Sequence, residues 1–153
     1  MEREPLYLVS ACLAGVNCRY DGGNCRVRWV EDLVSRGRAL ALCPEVLGGL
    51  GVPREPCEIR TGEGGSRFAL TRSGADYTDR FRAGACRTLE IVQAYGINSA
   101  VLKSRSPSCG LRLVYDGTFS GSLAVGMGIT AYLLRRHGVR IFSEVDHDEF
   151  QTM

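Results

Sequence analysis

Three of the seven cysteines stand where a short apolar run gives way to a loop of glycine, proline and serine. Leu6-Tyr7-Leu8-Val9 leads into S-A-C-L-A-G with Cys12, Ala39-Leu40-Ala41-Leu42 into C-P-E-V-L-G-G-L with Cys43, and Ser99-Ala100-Val101-Leu102 into K-S-R-S-P-S-C-G with Cys109. Each run reads as a buried strand, and loops at strand ends are where α/β proteins keep their chemistry. If the strands lie side by side, thiols far apart in the chain meet on one edge of a sheet. Thiolates gathered there could hold a zinc ion, with Cys18, Cys25 or Cys57 closing a four-ligand site. They could also hold an iron-sulfur cluster through three cysteines, leaving one iron open to bind and polarise a substrate. No C-x-x-C pair occurs, so any metal site must be assembled from distant loops. Cys25, Cys57 and Cys86 read instead as cysteines that pack as small hydrophobes.

Composition narrows the classes. The 153 residues, 44% hydrophobic and 24% charged, form one domain, 1–153, of an ordinary globular protein. No apolar stretch approaches the ~20 residues of a membrane span, and M-E-R-E-P lacks the basic start and apolar block of a signal peptide. The expected location is the cytoplasm, with no membrane partner. An odd number of cysteines in such a chain points to metal or thiol chemistry rather than a disulfide framework. A net charge of +2 is too small to argue for nucleic-acid binding. Among the basic residues Lys103 is the only lysine. It stands in the third cysteine loop, either by arginine-rich codon usage or because a compact ammonium is wanted there.

The elements that must position these residues follow from periodicity and turn chemistry. A first strand, Leu6 to Val9, precedes a loop whose Asp21-Gly22-Gly23-Asn24 is a turn. Helical spacing of Val30, Leu33 and Val34 predicts a helix from Val27 to Ser35, stopped by Gly37. The second strand runs from Arg38 to Leu42. Pro44 to Pro56 reads as irregular chain passing over the strand ends, and Cys57–Arg60 with Arg67–Thr71 as a small hairpin outside the main sheet. The longest helix, Gly74 to Tyr95, carries a stripe of Tyr77, Phe81, Ala85, Leu89 and Val92. After the third strand, Ser99–Leu102, Leu113–Tyr115 extends briefly before the D-G-T turn. F-S-G-S-L-A-V-G-M-G-I-T then leads into a helix from Ile129 to Arg136. A last strand, Val139–Phe142, precedes a helical turn near Asp146 to Phe150. Four strands separated by helices imply an α/β fold: a three-layer, Rossmann-like parallel sheet in the order 2-1-3-4 with right-handed crossovers. That order reverses between the first and third strands, and ligands bind in the crevice at such a switch point. Gly126-Met127-Gly128 ahead of a helix also has the form of a phosphate-cradling turn.

S-A-C-L-A-G, R-Y-D-G-G at Arg19 to Gly23, C-P-E-V-L-G-G-L with P-R-E-P, S-P-S-C-G at Ser106 to Gly110, F-S-G at Phe119 and G-I-T-A-Y-L-L-R-R-H-G together resemble the 2-thiouracil desulfurase family, over nearly the whole chain and in order. The resemblance implies a 4Fe-4S cluster held by Cys12, Cys43 and Cys109. It implies an enzyme that removes sulfur from a thiolated pyrimidine, a small molecule of 2-thiouracil or 4-thiouridine type. The removal it implies has no net redox change: the sulfur would bind the open iron, water would attack the carbon, and sulfide would be released. Glu45 matches the family's acid/base carboxylate and Ser106 its catalytic serine. Chemically, a desolvated carboxylate two residues past a ligand suits proton transfer from water, and Ser106 can pass a proton or bond the pyrimidine. Asp21, Lys103, Ser104 and Ser108 are further substrate-binding candidates. Cys18 departs from the apolar residue usual in the family, and a fourth thiolate there would compete for the open iron. The competing readings are a zinc-stabilised binding module without turnover, and desulfurisation of thiolated tRNA, which needs a basic face that the charge balance does not provide.

Overall fold

Alternation along the short apolar runs decides the architecture. In β1 (Tyr7–Ser10), Tyr7 and Val9 join one buried cluster and Leu8 another, as side chains of successive strand residues must. The computed structural model describes residues 5–153; residues 1–4, most of the N-terminal stretch read above for signal-peptide character, lie outside it. β2 (Ala39–Leu42) and β5 (Ser99–Leu102) flank β1, and β8 (Arg140–Ser143) lies beyond β5, all parallel, in the order β2-β1-β5-β8. This is the expected sheet, with its main strands in the order 2-1-3-4.

Helices cover both faces. α1 (Arg28–Ser35) buries Val30 against Tyr7, Val9 and Phe142, and α5 (His147–Gln151) adds Phe150 to the same cluster. On the other face α3 (Thr78–Ala94) supplies Val92, and α4 (Ile129–Arg136) supplies Ala131 and Leu134, against Leu8, Ala100 and Leu102. Leu8, Val9, Val101 and Leu102 are at most 1% exposed, so each contributes roughly 1.5–3 kcal/mol of burial. No helix among the described residues is long and apolar enough to cross a membrane.

The hairpin of β3 (Cys57–Thr61) and β4 (Arg67–Thr71) stands outside this sheet, as expected, over its own cluster of Leu50, Ile59, Ala69, Phe81 and Val114. Several boundaries differ from the sequence reading. α3 starts at Thr78 rather than Gly74, because Gly74 turns left-handed (φ 95°) and Asp76 bridges to Leu70. The Asp76 carboxylate then accepts the Thr78 N–H at 2.8 Å, and Tyr77 precedes the helix. Leu123–Val125, read as a lead-in to a helix, is a strand, β7, pairing antiparallel with β6 (Leu113–Tyr115). Pro44–Leu47, read as irregular, is a one-turn helix, α2, with proline at its first position where the missing N–H costs nothing. Cys86 is exposed rather than packed, since the buried positions of α3 (78, 81, 84, 85, 88 and 92) form a face that it does not share.

α2 rests on α3 through glycines. A Cβ on Gly48 would strike the Arg80 carbonyl, and a Cβ on Gly84 the Pro44 carbonyl, both backbone atoms with no room to give. This contact fixes the segment that follows Cys43. Gly84→Ala in an exposed helix would stabilise by about 1 kcal/mol. Here it is expected to destabilise by about 1–3 kcal/mol or more through overpacking, read as a lower urea midpoint at unchanged slope.

Candidate active site

Each of the three strand ends is shaped by a different local device. After β1 the chain enters a single 3-10 turn, Ala11–Ala14, closed by Gly15 at φ 91°, where a left-handed residue is required. The following loop folds back on it: the Cys25 N–H bonds the Cys12 carbonyl and the Val27 N–H the Leu13 carbonyl, both at 2.9 Å. After β2, Cys43 is the cap residue of α2. After β5, the Lys103 N–H is tied to Ser10 Oγ across the sheet at 2.9 Å. The loop then turns about Ser106, whose Oγ accepts the N–H groups of Ser108 (3.2 Å) and Cys109 (3.0 Å).

α4 seals that loop from behind. The N–H groups of Ile129, Thr130 and Ala131 donate to the Pro107 and Ser108 carbonyls at 2.9–3.0 Å. A Cβ on Gly128 would strike the backbone of Ser108 and Cys109. Gly126-Met127-Gly128 is therefore not an open phosphate cradle: the helix N-terminus is used up by the loop, and Gly128 is there for close approach.

The strand ends border a cavity of about 430 Å³ lined by Cys12, Cys18, Cys43, Cys57 and Cys109, together with Glu45, Ser106 and Ser108. Five of the seven cysteines thus face one space, and Cys12 and Cys109 are only 9% and 3% exposed. Among the described residues, no three His, Cys, Asp or Glu side chains are drawn together around a single ion. Soft sulfur donors of this kind suit zinc or an iron-sulfur cluster.

Burial pushes the Cys12 thiol up to about 12, helped by its neighbours Cys109, Cys25 and Cys43 and opposed by Lys103. Cys109 rises to about 11 by burial, although a hydrogen bond from Ser10 favours its thiolate. Cys43 and Cys18 are neighbours, and the Cys43 thiol also reaches the Cys18 carbonyl at 3.8 Å. The hydrogen bond from Cys18 lowers Cys43 to about 6 against its burial, with help from the Val46 N–H, and Cys18 is raised by the same bond and by its own burial. Cys18, singled out as a possible fourth thiolate, thus stands in the cavity beside Cys43. Cys57 is buried and pushed up to about 12 by desolvation. Cys25 is half-buried and accepts from the Arg19 guanidinium at 2.9 Å.

Glu45 is held at both oxygens. Arg54 Nε donates to Oε1 at 3.2 Å and Ser108 Oγ to Oε2 at 3.0 Å. The Ser106 and Ser108 hydroxyls are 3.1 Å apart, so Glu45, Ser108 and Ser106 form one hydrogen-bonded line. Arg54 was not anticipated. Its side chain is 7% exposed, and it also donates to the carbonyls of Gly51 and Cys18 at 3.1 and 3.0 Å. The P-R-E-P sequence marks a turn but not the direction in which the arginine returns.

Lys103 and Ser104 line the cavity too, and both engage Glu144 just past β8. Lys103 Nζ lies 3.3 Å from Oε2, Ser104 Oγ donates to Oε2 at 2.9 Å, and the Ser104 N–H donates to Oε1 at 2.8 Å. Burial alone would raise the Glu144 carboxyl, but the Ser104 N–H and Lys103 hold it below its ordinary value. Glu144 lies in the acidic tail, where charge alone gives no hint of this partner. Asp21 is outside the cavity: it is exposed, and Oδ1 closes its own turn on the Gly23 N–H at 2.9 Å. Its neighbours Arg19 and Tyr20 reach the wall instead.

The profile of the 2-thiouracil desulfurase family matches residues 7–146. The uncharacterized protein YbbK of Bacillus subtilis (strain 168) is 42% identical over 144 residues, covering 91% of this chain and 95% of that protein. Among solved structures, the 4Fe-4S-dependent thiouracil desulfidase TudS (DUF523Vcz) superposes with a TM-score of 0.87 at 46% identity, over 96% of this chain and 95% of its own. Sequence match and fold agree over almost the full length, and the chain belongs to the 2-thiouracil desulfurase family.

Proposed function

We propose that this protein is a 4Fe-4S-dependent desulfurase that removes sulfur from a thiolated pyrimidine, of 2-thiouracil or 4-thiouridine type, with Cys12, Cys43 and Cys109 holding the cluster. The observation that carries this reading is the meeting of thiols from three separate parallel strand ends in one cavity, beside Glu45 and Ser106. The similarity to a thiouracil desulfidase named for that cluster supports it. Bound by three thiolates, such a cluster supplies one iron able to take a thiocarbonyl sulfur and withdraw charge from its carbon.

The remaining work falls to the chain's own side chains. Ser108 has one hydroxyl proton, and the acceptors within reach are Glu45 Oε2 at 3.0 Å, Ser106 Oγ at 3.1 Å and Cys109 Sγ at 3.6 Å. The shorter, charge-assisted bond to the carboxylate prevails. Ser106 is then the donor in the 3.1 Å contact between the hydroxyls, and the line runs Ser106 to Ser108 to Glu45. Arg54 anchors Oε1 and leaves Oε2 for this line. Glu45 takes a proton from the water that attacks the sulfur-bearing carbon. Glu45 then returns it to the ring nitrogen or to the departing sulfur, while Ser106 and Ser108, both donating toward Oε2, hold the carboxylate in place for the two steps. The balance is thiocarbonyl plus water giving carbonyl plus hydrogen sulfide, with no change of oxidation state.

Cys12→Ser, Cys43→Ser and Cys109→Ser are each expected to give colourless protein with far less than the about four irons per chain of the wild type, measured by elemental analysis and absorbance after anaerobic purification. Cys86→Ser and Cys18→Ser should keep their iron. Loss of iron from Cys18→Ser would mean that four thiolates hold the cluster and that no iron is open. One zinc and no iron in the wild type would sink the reading.

Glu45→Gln should retain iron and colour while kcat for sulfide release from 2-thiouracil falls about 10²- to 10⁴-fold, the usual worth of a positioned acid/base group. Ser108→Ala should lower kcat with KM and iron content unchanged. Wild-type turnover by Glu45→Gln would remove the acid/base carboxylate, and by Ser108→Ala the residue that holds it.

A further inference from the structure

The cavity wall includes an aromatic residue held in a backbone conformation that such residues avoid. Phe119 has φ 55°, in the left-handed region that is a genuine outlier for a bulky side chain. Conformations of this kind persist only where the surroundings impose them, and they cluster at ligand clamps. Here the surroundings are explicit. Glu58 Oε1 on β3 accepts the N–H groups of both Gly117 (3.1 Å) and Phe119 (3.0 Å). The Arg60 guanidinium donates to the Gly117 carbonyl at 2.9 Å. Gly117 is buried at φ 91°, where a Cβ would come within 3.1–3.2 Å of the Ile59 carbonyl and Arg60. The Asp116–Phe119 turn is thus clamped onto β3.

The clamp does not bury the ring it positions. Phe119 is only half-buried and lines the same cavity as the thiols. The Arg72 guanidinium sits over its ring, 5.4 Å from the centroid. A phenylalanine needed for packing alone could sit on relaxed backbone. Tyr20 and Tyr115 also line the cavity, and neither has a left-handed backbone.

We propose that Phe119 is the stacking platform for the flat pyrimidine ring of the substrate, and that Glu58 is its positioning residue, acting through the Asp116–Phe119 turn. The inference rests on the function proposed above and adds a specificity residue to it. Nucleobases stack on aromatic side chains through their π-faces whatever their exocyclic groups. A platform of this kind would hold the ring in one plane and leave its thiocarbonyl edge free to face the space between Cys12, Cys43 and Cys109, binding ground state and transition state alike.

The test uses anaerobically purified holoenzyme, with uracil as an unreactive probe of the ring site. Phe119→Ala is expected to raise both the uracil inhibition constant and KM for 2-thiouracil by roughly 10- to 100-fold, with kcat and iron content changed far less. Phe119→Tyr should bind as the wild type does, whereas Phe119→Leu, apolar but without a π-face, should behave like the alanine variant. Glu58→Ala should raise KM in the same way, and Glu58→Gln, whose amide oxygen can accept the same two N–H groups, should restore it. Unchanged uracil binding in Phe119→Ala, or tight binding in Phe119→Leu, would overturn the platform. Wild-type KM in Glu58→Ala would overturn the positioning role. If the wild type releases no sulfide from 2-thiouracil, the proposed function fails, and calorimetric binding of uracil to wild type and Phe119→Ala still decides the stacking.

Discussion

Parallel pairing is the constraint on which this molecule depends. Parallel strands deliver their carboxyl ends to one edge of a sheet, so the registers of β1 with β2 and of β1 with β5 bring together three loops that are remote in sequence. An antiparallel neighbour would send one of the loops to the opposite edge. The order β2-β1-β5-β8 also places the reversal of winding between β1 and β5, opening the crevice between Cys12 and Cys109. The glycine contacts finish the placement. Gly48 and Gly84 let α2 settle on α3 behind Cys43, and Gly128 lets α4 settle on the backbone of Ser108 and Cys109.

Gathering thiols in a buried space has an electrostatic cost, visible in the upward shifts of Cys12 and Cys109. Burial disfavours each thiolate, and every neighbouring sulfur adds like charge. The opposing groups are few and well fixed. Lys103 acts on Cys12 while Glu144 and Ser104 hold its ammonium. Arg54 acts on Cys43 and Cys18 while bound to Glu45. Both cations are thus neutralised locally by a carboxylate and still face the sulfurs, so neither is left uncompensated in a half-buried site. This gives the lone lysine of the chain a physical role that codon usage does not require.

The sequence was most legible where a single pattern governed a single element. Apolar runs located all four main strands to within a residue or two, helical spacing located α1 and α4, and the switch of chain texture after each strand marked three cysteines that line one cavity. Legibility failed where structure is set by contacts across the chain. α2 depends on the fit of Gly48 against Arg80, and β7 depends on pairing with β6; neither has a periodicity of its own. Arg54, Glu58 and Glu144 face the cavity or its lining because loops and an outlying hairpin return to it, and return paths leave no mark in local composition. Gly126-Met127-Gly128 was misleading for a related reason. A glycine ahead of a helix serves an anion or a neighbouring backbone equally well, and only the Ser108 and Cys109 main chain shows which it is.

Ser106 shows why structural and chemical readings of one residue need not compete. As a turn hydroxyl it accepts two backbone N–H groups and shapes the loop that presents Cys109. Those bonds occupy its oxygen lone pairs, so its proton is the part left to be shared with Ser108. Ser108 is 2% exposed and cannot replace its bond to Glu45 with one to bulk water, which fixes the direction of its own proton as well. The turn therefore orients the hydroxyls before any substrate arrives. In the proposed function this is preorganisation: a carboxylate pinned by Arg54 and by serines that the backbone holds in place needs little rearrangement when it takes up a proton and gives it back. The scaffolding of the loop and its polarity are one arrangement, and a change that loosens the turn should loosen the hold on the Glu45 carboxylate with it.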